Sequence, residues 1–299
     1  MDALALFWNL VPVTLMQGLV YAFVALAVMI PFRLLSVPDL SSEGVFPLGA
    51  CVAAALITLG AHPISATFAA VAAGFLAGVT TALIHLKFRV HSLLAGILTI
   101  TMLWSINLRI LGKPNEPIFG LPNIFDWISP AIMTSMGLQI AFFAVVLASL
   151  LGALWWGLQT DAGLGLRGVG ANPQLAPALG VDLVRYTAIG LGLAGCFSAL
   201  AGALLAQSQG YADVGMGVGM LVNGIASVII GEAIIGRRGL ANQVLAPVIG
   251  SVVYYLLASL ALSIGLNPSD LKLATGVFVL LTIGWPVLLG RGASAARAL

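Results

Sequence analysis

The feature that most constrains this chain is a series of apolar runs, each about as long as a membrane span, separated by short polar segments. Of its 299 residues, 61% are hydrophobic and only 7% are charged, against about 25% charged in an ordinary soluble domain. A soluble core of this size could not bury so much apolar surface, so we predict an integral membrane protein. The runs are continuous rather than alternating, which favours helices over a β-barrel.

Apolar runs of about 20 residues predict where the chain crosses the membrane. On this criterion we predict an all-α polytopic helical bundle, one transmembrane domain over residues 1–299, with about nine transmembrane segments. The 35 glycines indicate close packing between helices. The predicted segments are 12–35, 44–60, 63–85, 91–111, 132–158, 186–207, 215–236, 240–262 and 271–290.

Proline and glycine interrupt the apolar run between the first and second segments. They predict a broken helix, whose freed backbone groups must face protein or a water-filled cavity rather than lipid. The interrupting residues are Pro38, Gly44, Pro47 and Gly49.

Segments two to four and seven to nine form two triplets that enter the membrane in opposite directions, because five segments separate corresponding members. Their interrupted members lie near Glu43 and Gly231. This arrangement is typical of inverted-repeat transporters, in which the substrate path runs between the repeats.

The basic residues predict the orientation of the chain. If the loop 159–185 is cytoplasmic, alternation places nine of the twelve Lys and Arg residues inside, which indicates an external N-terminus and a cytoplasmic C-terminus. The inside residues are Arg33, Lys87, Arg89, Arg167, Arg185, Arg237, Arg238, Arg291 and Arg297, and the outside ones are Arg109, Lys113 and Lys272.

The loop 159–185 is the longest polar stretch inside the chain, and its ends are marked by capping residues. Asn172 is placed to N-cap a short helix that starts at Pro173, and Gly180 is placed to end it after about two turns. Flexible glycines precede this helix, so the loop is interpreted as a docking element. These glycines are Gly163, Gly165, Gly168 and Gly170.

Three stretches resemble the permeases of ABC importers of the branched-chain amino acid and ribose type. LRGVGANPQLAPALGVDLVRYTAIGLGLAGCFSALAGALLA is similar to the coupling region and following helix of that family. VPDLSSEGVFPLGA and ASVIIGEAIIGRRGL resemble two further family motifs in the same order. The first stretch supplies the residues that the resemblance assigns to ATPase coupling, namely Arg167, Gly170, Asn172, Pro173, Ala176, Leu179 and Gly180.

Pro177 departs from the family pattern, and a proline there removes the N–H that would bond the Pro173 carbonyl. This departure predicts that the segment from Asn172 to Gly180, which we call the stub, is not a regular α-helix.

The resemblance implies a transport function carried out with partners. The chain would form a homodimer with a second permease copy on a cytoplasmic dimer of ABC ATPases, in a bacterial inner membrane. It would hold no cofactor itself, while the ATPases bind ATP and Mg²⁺. An external binding protein would deliver a small organic solute. The motif V-x-D-L-x-x-E-G-x-F-P-L-G-A favours a hydrophobic or aromatic amino acid, and a sugar or nucleoside is the alternative.

The substrate path is expected where the interrupted segments meet. Glu43 and Asn223 are the candidate polar contacts, and Phe46 and Met220 the candidate apolar walls. The competing interpretation is that Glu43 only stabilises a helix N-terminus and that Asn223 only hydrogen-bonds a neighbouring helix.

Glu232 lies just before two arginines at the inner end of segment seven. It is interpreted either as one half of a local ion pair with Arg237 or Arg238, or as a gate contact.

The outer loop 112–130 contains Phe119, Phe125 and Trp127. Aromatic residues are typical of the membrane interface, and a docking surface for the binding protein is the second interpretation.

Other function classes find little support in the sequence. It has no paired intramembrane aspartates, zinc-ligand cluster, G-x-S-x-G elbow or Walker A motif. Its two cysteines predict neither a disulfide framework nor a metal site. The few scattered basic residues give no nucleic-acid surface. The rival function is a stand-alone secondary transporter or channel, for which Glu43 and Glu232 would be the acidic ion-site candidates.

Overall fold

The computed structural model describes residues 3–129 and 135–267, together with Ile132, Asp270, Leu273, Gly276 and Val277. In this part of the chain six helical spans are long and apolar enough to cross a membrane. They are α1 (Ala3–Met29, continued by a π-helical turn at Ile30–Leu34), α3 (Pro63–Lys87), α4 (Ser92–Leu111), α6 (Met136–Gly157), α8 (Leu183–Gln209) and α10 (Leu240–Ser263).

Two shorter apolar helices complete the bundle as described, α2 (Ser42–Thr58) and α9 (Met220–Ile235). Small elements occupy the connections: β1 (Asn115–Pro117), α5 (Ile124–Ile128), α7 (Asp161–Ala171), a 3-10 turn (Ala176–Leu179) and β2 (Tyr211–Asp213). We call the end that carries β1 and β2 the outer end and the end that carries α7 the inner end.

The prediction of a helical polytopic membrane protein is confirmed, but the prediction of nine spans is not. Each of the first eight predicted segments corresponds to one helix, with ends that agree within five residues except at the start of the first, where α1 begins at Ala3 rather than at residue 12. The predicted segment 271–290 lies outside the described residues except at Leu273, Gly276 and Val277. The structure therefore supports six long spans and two short apolar helices.

The break between the first two segments is shorter than the sequence predicted. Only residues 35–41 leave the helical conformation, and Pro47 lies inside α2. Neighbouring helices also supply donors to carbonyls in the first turn of α2. Asn107 on α4 donates its Nδ2–H to the Gly44 carbonyl at 3.3 Å, for example.

Small residues bring α8 into direct backbone contact with α2 and α3. A side chain at Gly49 or Gly202 would collide with the backbone of the facing helix, at Ala199 and Phe46 respectively. Helices in lipid lack a hydrophobic force that drives them together, so such close contact is how they gain packing energy. Gly49, which the sequence predicted to interrupt the helix, therefore serves packing instead.

A second group of helices, α1, α9 and α10, is held in the same way. A Cβ at Gly250 on α10 would collide with the carbonyl of Ser227 on α9. Ser251 donates its hydroxyl to the Gly18 carbonyl of α1 at 2.8 Å. The two groups meet along α1, which packs against α8 as well as against α9 and α10.

At the outer end, β1 and β2 pair in antiparallel register, with Asn115 opposite Asp213 and Pro117 opposite Tyr211. This pairing joins the connection after α4 to the connection after α8. Ala50 and Ala54 of α2 pack beneath it with Ile118.

We expect Gly250→Val to weaken the contact between α9 and α10. The added side chain enters space filled by the Ser227 backbone, and overpacking of this kind costs about 1–3 kcal/mol or more. The melting temperature of the detergent-purified protein should fall. Gly152→Val is the matched control because no atom lies within 4 Å of a Cβ there; equal melting temperatures for the two variants would contradict the proposed packing.

Candidate functional site

The two short helices begin at the same place inside the bundle. Glu43, in the first turn of α2, accepts a hydrogen bond from the Gly219 N–H, the N-cap residue of α9, through Oε1 at 2.7 Å. The next residue, Gly44, faces Ile100 and Leu103 near the middle of the 20-residue helix α4. The meeting point therefore lies about halfway through the bundle, and we call it the junction.

The junction concentrates favourable potential for a negative charge. The N-termini of α2 and α9 both carry partial positive charge, and the Glu43 carboxylate lies between them. Its second oxygen, Oε2, has no hydrogen bond to any residue that the structure describes. That oxygen can accept a hydrogen bond from an ammonium or hydroxyl group of a solute.

Two further polar side chains support the junction, and both are buried. The Asp39 carboxylate accepts hydrogen bonds from the Ser41 N–H at 2.9 Å and the Ser41 hydroxyl at 2.7 Å, which fixes the chain entering α2. Asn107 is buried, and its Oδ1 has no hydrogen-bond partner in the described part of the chain. The sequence analysis missed Asn107, although an amide in the middle of an apolar run is a signal that could have found it.

The predicted path residues are only partly brought together. Glu43 and Met220 lie at the junction, Met220 directly after the Gly219 cap. Phe46 is fully buried and stacks on Tyr21 with ring centroids 6.3 Å apart, so its side chain belongs to the core in this conformation.

Asn223 lies one turn further along α9. Its Oδ1 accepts a hydrogen bond from the Tyr254 hydroxyl of α10 at 2.9 Å. The structure therefore contains the helix-to-helix contact that the sequence analysis gave as the alternative role of Asn223.

An ion cluster occupies the inner end. Arg33 Nη2 and Arg237 Nε contact the same oxygen of Glu232, Oε2, at 2.8 and 2.9 Å. Glu232 is 8% exposed, so its charge depends on these two partners. The predicted ion pair between Glu232 and Arg237 is present. The sequence analysis did not identify Arg33 as a partner of Glu232, because the two residues are 199 positions apart in the sequence.

A polar cavity of about 390 Å³ adjoins this cluster. Ser36, one of its lining residues, has a positive φ of 53°, a conformation that is uncommon for any residue other than glycine and that concentrates at functional sites. The lining residues are Phe32, Arg33, Ser36, Pro38, Glu232, Arg237 and Gln243.

The glycines of the loop 159–185 are not flexible, contrary to the sequence prediction. They lie in α7, which Thr160 N-caps by accepting from the Gly163 N–H at 3.4 Å. A side chain at Gly170 would collide with the Leu34 carbonyl of the π-helical turn. A side chain at Gly163, Gly165 or Gly170 would collide with neighbouring atoms, so these three allow close packing around α7, whereas a Cβ at Gly168 would meet no atom within 4 Å.

The capping residues of the stub are where the sequence predicted them. Asn172 Oδ1 accepts from the N–H groups of Gln174 and Leu175 at 3.1 and 3.0 Å, and Gly180 ends the stub with φ of 78°. The predicted two turns of helix are wrong, because only one 3-10 turn forms, over Ala176–Leu179. Pro177 lies within this turn. The absence of a regular α-helix here is what its missing N–H led us to expect.

The stub exposes two leucines and buries Ala176. Leu175 and Leu179 are 52% and 72% exposed, whereas Gly170 and Ala176 are buried against the chain itself. Arg167 is half-buried, and its Nε atom is buried without a hydrogen-bond partner among the described residues. The surface that the stub offers to a partner is therefore apolar.

Comparison with known proteins gives a consistent picture. Residues 12–284 match the family model described as branched-chain amino acid transport system / permease component. The chain is 37% identical over 265 residues to a tyrosine transport system permease protein of Clostridioides difficile, covering 88% of this chain and 87% of that one.

More distant similarity extends to other permeases. The chain is 32% identical to an uncharacterized protein of Rickettsia prowazekii, covering 92% and 97% of the two chains. It is 26% identical to a ribose import permease protein of Bacillus subtilis, covering 86% and 77%. No solved structure matches the chain.

We expect Glu43→Ala to destabilise the junction, because the Gly219 N–H loses its acceptor inside the bundle. An unsatisfied buried donor costs about 1–3 kcal/mol. Glu43→Gln keeps an acceptor oxygen and should therefore lose less stability than Glu43→Ala. The melting temperature of each variant in detergent checks this order, and equal losses for the two variants would contradict a hydrogen-bonding role for Glu43.

Proposed function

The chain belongs to the branched-chain amino acid transport system / permease component family, and from this membership we propose that it carries a hydrophobic or aromatic amino acid through a bacterial inner membrane. It is a permease of the ABC transporter type and a transport component rather than a catalytic enzyme. The match of the family model to residues 12–284 is the observation that carries the function. It also favours a permease subunit over a transporter or channel that works alone.

The substrate class follows from the relatives and from the chemistry of the junction. The tyrosine permease is 37% identical to this chain and the ribose permease 26% identical. The Glu43 Oε2 atom suits the ammonium group of an amino acid, and Met220 offers an apolar contact. A sugar would need more hydroxyl partners than Glu43 and Asn223 supply, so sugar or nucleoside import is the second candidate.

The proposed path passes the junction, with Glu43 and Asn223 as polar contacts and Met220 and Phe46 as apolar walls. Phe46 and Asn223 are engaged in this conformation, by the core and by Tyr254. Both would come to line the path only when the helices separate. Under this proposal the path would be closed in this conformation.

The proposed assembly has three kinds of protein component. A second copy of the chain completes the permease, a dimer of cytoplasmic ATPases binds ATP and Mg²⁺, and an external binding protein delivers the solute. Membrane lipid surrounds the assembly, and nucleic acid has no part in it. The ATPases would dock on the stub, where Leu175 and Leu179 are exposed.

We propose that docking is transmitted to a gate at the inner end. Gly170 of α7 packs against the Leu34 carbonyl, and Arg33, the preceding residue of the π-helical turn, bonds Glu232 of α9. A displacement of α7 therefore acts on the chain one residue from the ion cluster. Glu232 would hold the path closed while it binds Arg33 and Arg237.

The orientation and the repeat are part of the same proposal. The N-terminus lies outside and the C-terminus inside, since most basic residues lie at the inner end. Nine segments would then form, with α2 to α4 and α9 to 271–290 as inverted triplets. Support comes from the opposite directions of α2, which ends beneath β1 and β2, and α9, which begins after β2.

We expect Leu179→Asp to uncouple the permease from its ATPase. Leu179 makes an apolar contact in the proposed interface, and losing a central contact there costs about 2 kcal/mol or more. The amount of co-expressed ATPase that copurifies with the permease should fall at least about tenfold, together with tyrosine uptake by cells.

The control is Leu59→Asp, which places the same change at an exposed leucine of the outer end and should leave ATPase association unchanged. Normal ATPase association of Leu179→Asp would contradict docking at the stub. Ribose uptake without tyrosine uptake by the unaltered transporter would contradict the amino acid assignment alone.

We expect Glu232→Gln to open the inner gate more often. The ion cluster is partly solvent-exposed at Arg33 and Arg237, so its loss is worth about 1 kcal/mol, or about fivefold in population. ATP-independent release of tyrosine from proteoliposomes should rise accordingly. Glu116→Gln, which removes a 2.8 Å ion pair with Lys113 at the outer end, is the control; equal release by both variants would contradict the gate.

A further inference from the structure

An apolar groove of about 340 Å³ lies between α6 and α8 at the inner end, and α7 closes it from below. It is separate from the junction and from the polar cavity beside Glu232. Its lining residues are Leu150, Ala153, Leu154, Gly157, Leu158, Thr160, Ala162, Gly163, Leu166, Ile189, Leu193 and Phe197.

The groove is long, narrow and parallel to the helices. The residues that α8 contributes, Ile189, Leu193 and Phe197, recur every fourth position, so they form one strip about 12 Å long. Thr160 is the one lining residue with a polar side chain, and its hydroxyl already donates to the Gly157 carbonyl at 2.6 Å. An occupant of the groove is therefore held by apolar contacts alone.

The cross-section of the groove limits what can enter it. A volume of about 340 Å³ divided by the length of about 12 Å gives a mean cross-sectional area of roughly 28 Å². A helix about 10 Å wide needs roughly 80 Å², so the groove cannot enclose a whole helix. A single hydrocarbon chain, whose carbon atoms pack about 4 Å from their neighbours, needs roughly 16 Å² and fits.

A cation, Arg167, lies beside residues that line the inner end of the groove. Arg167 follows Leu166 and lies one helical turn after Gly163, and both of these neighbours line the groove. The Arg167 Nε atom is buried and has no hydrogen-bond partner in the described ranges. Trp155 and Trp156 are exposed close by on α6, and tryptophan is enriched at the level of lipid headgroups.

We propose that this groove binds one acyl chain of an anionic phospholipid, with the lipid phosphate on Arg167. The apolar strip points towards the middle of the bundle and the cation lies at its inner end, which matches the polarity of a lipid of the inner leaflet. That leaflet is rich in anionic lipids when it faces the cytoplasm. The assignment of the leaflet rests on the proposed orientation.

Lipid bound in the groove would contact α7, the helix that leads into the stub. Gly163 and Leu166 of α7 line the groove, and Gly170 of the same helix packs on the π-helical turn. A bound acyl chain therefore fills the space beneath the N-terminal half of α7 and supports that helix against α6 and α8.

The test is native mass spectrometry of the detergent-purified chain, titrated with phosphatidylglycerol or with phosphatidylcholine of the same acyl chains. It needs no ATPase, so it is independent of the proposed transport activity. Gly157→Leu fills the groove, since no atom lies within 4 Å of a Cβ at that position. Gly152→Leu is the matched control, because it has the same free space on α6 but lies outside the groove.

We expect one phosphatidylglycerol to bind about fivefold more tightly than phosphatidylcholine. Gly157→Leu should weaken the binding of both lipids at least about tenfold. Gly152→Leu should leave the binding of both unchanged. Arg167→Gln should remove the preference for phosphatidylglycerol while phosphatidylcholine still binds. Ala153→Leu is a second filling variant in case Gly157→Leu does not fold.

Three results would overturn the proposal. The first is that both filling variants bind lipid as tightly as Gly152→Leu does. The second is that Arg167→Gln keeps the full preference for phosphatidylglycerol. The third is that inorganic phosphate displaces phosphatidylglycerol. The last result would place a phosphate site at Arg167 without an acyl chain in the groove.

Discussion

The structure depends on one requirement, that every backbone polar group inside the bilayer finds a partner within the protein. Asp39, Ser41 and the starts of α2 and α9 lie inside the bundle, where water is scarce, whereas Ser36 is exposed in the polar cavity at the inner end. Side chains meet the requirement: Asp39 holds the Ser41 N–H, Glu43 holds the Gly219 N–H, and Asn107 serves the Gly44 carbonyl. The same hydrogen bonds that make the break possible give the bundle its polar junction.

Close backbone contact is the second general feature, and in the proposed coupling it would serve transport as well as stability. Glycine brings α8 onto α2 and α3, and Gly250 brings α10 onto α9. Gly170 uses the same device to seat α7 on the π-helical turn. A rigid contact of this kind transmits a displacement with little loss, because close-packed interiors resist compression.

Local sequence patterns predicted the helices well and their contacts poorly. Apolar runs located eight helices, and Asn172 and Gly180 located the ends of the stub, because both signals are read within a few residues. The Arg33–Glu232 bridge joins residues 199 apart, and no local pattern contains it. Glycines in a polar loop were interpreted as flexible. Only the facing helix shows that their missing side chains make room for a neighbour.

The pairing of β1 with β2 restricts which parts of the molecule can move relative to one another. Backbone hydrogen bonds and the contact of Asn115 with Asp213, 98 residues away, tie the outer ends of α4 and α8 together. With α2 and α3 packed against them, these four helices form one packed group. Any relative movement at the outer end would therefore be expected along the seam between that group and α1, α9 and α10. Glu43 and Gly219 lie on opposite sides of this seam and are joined across it by a hydrogen bond.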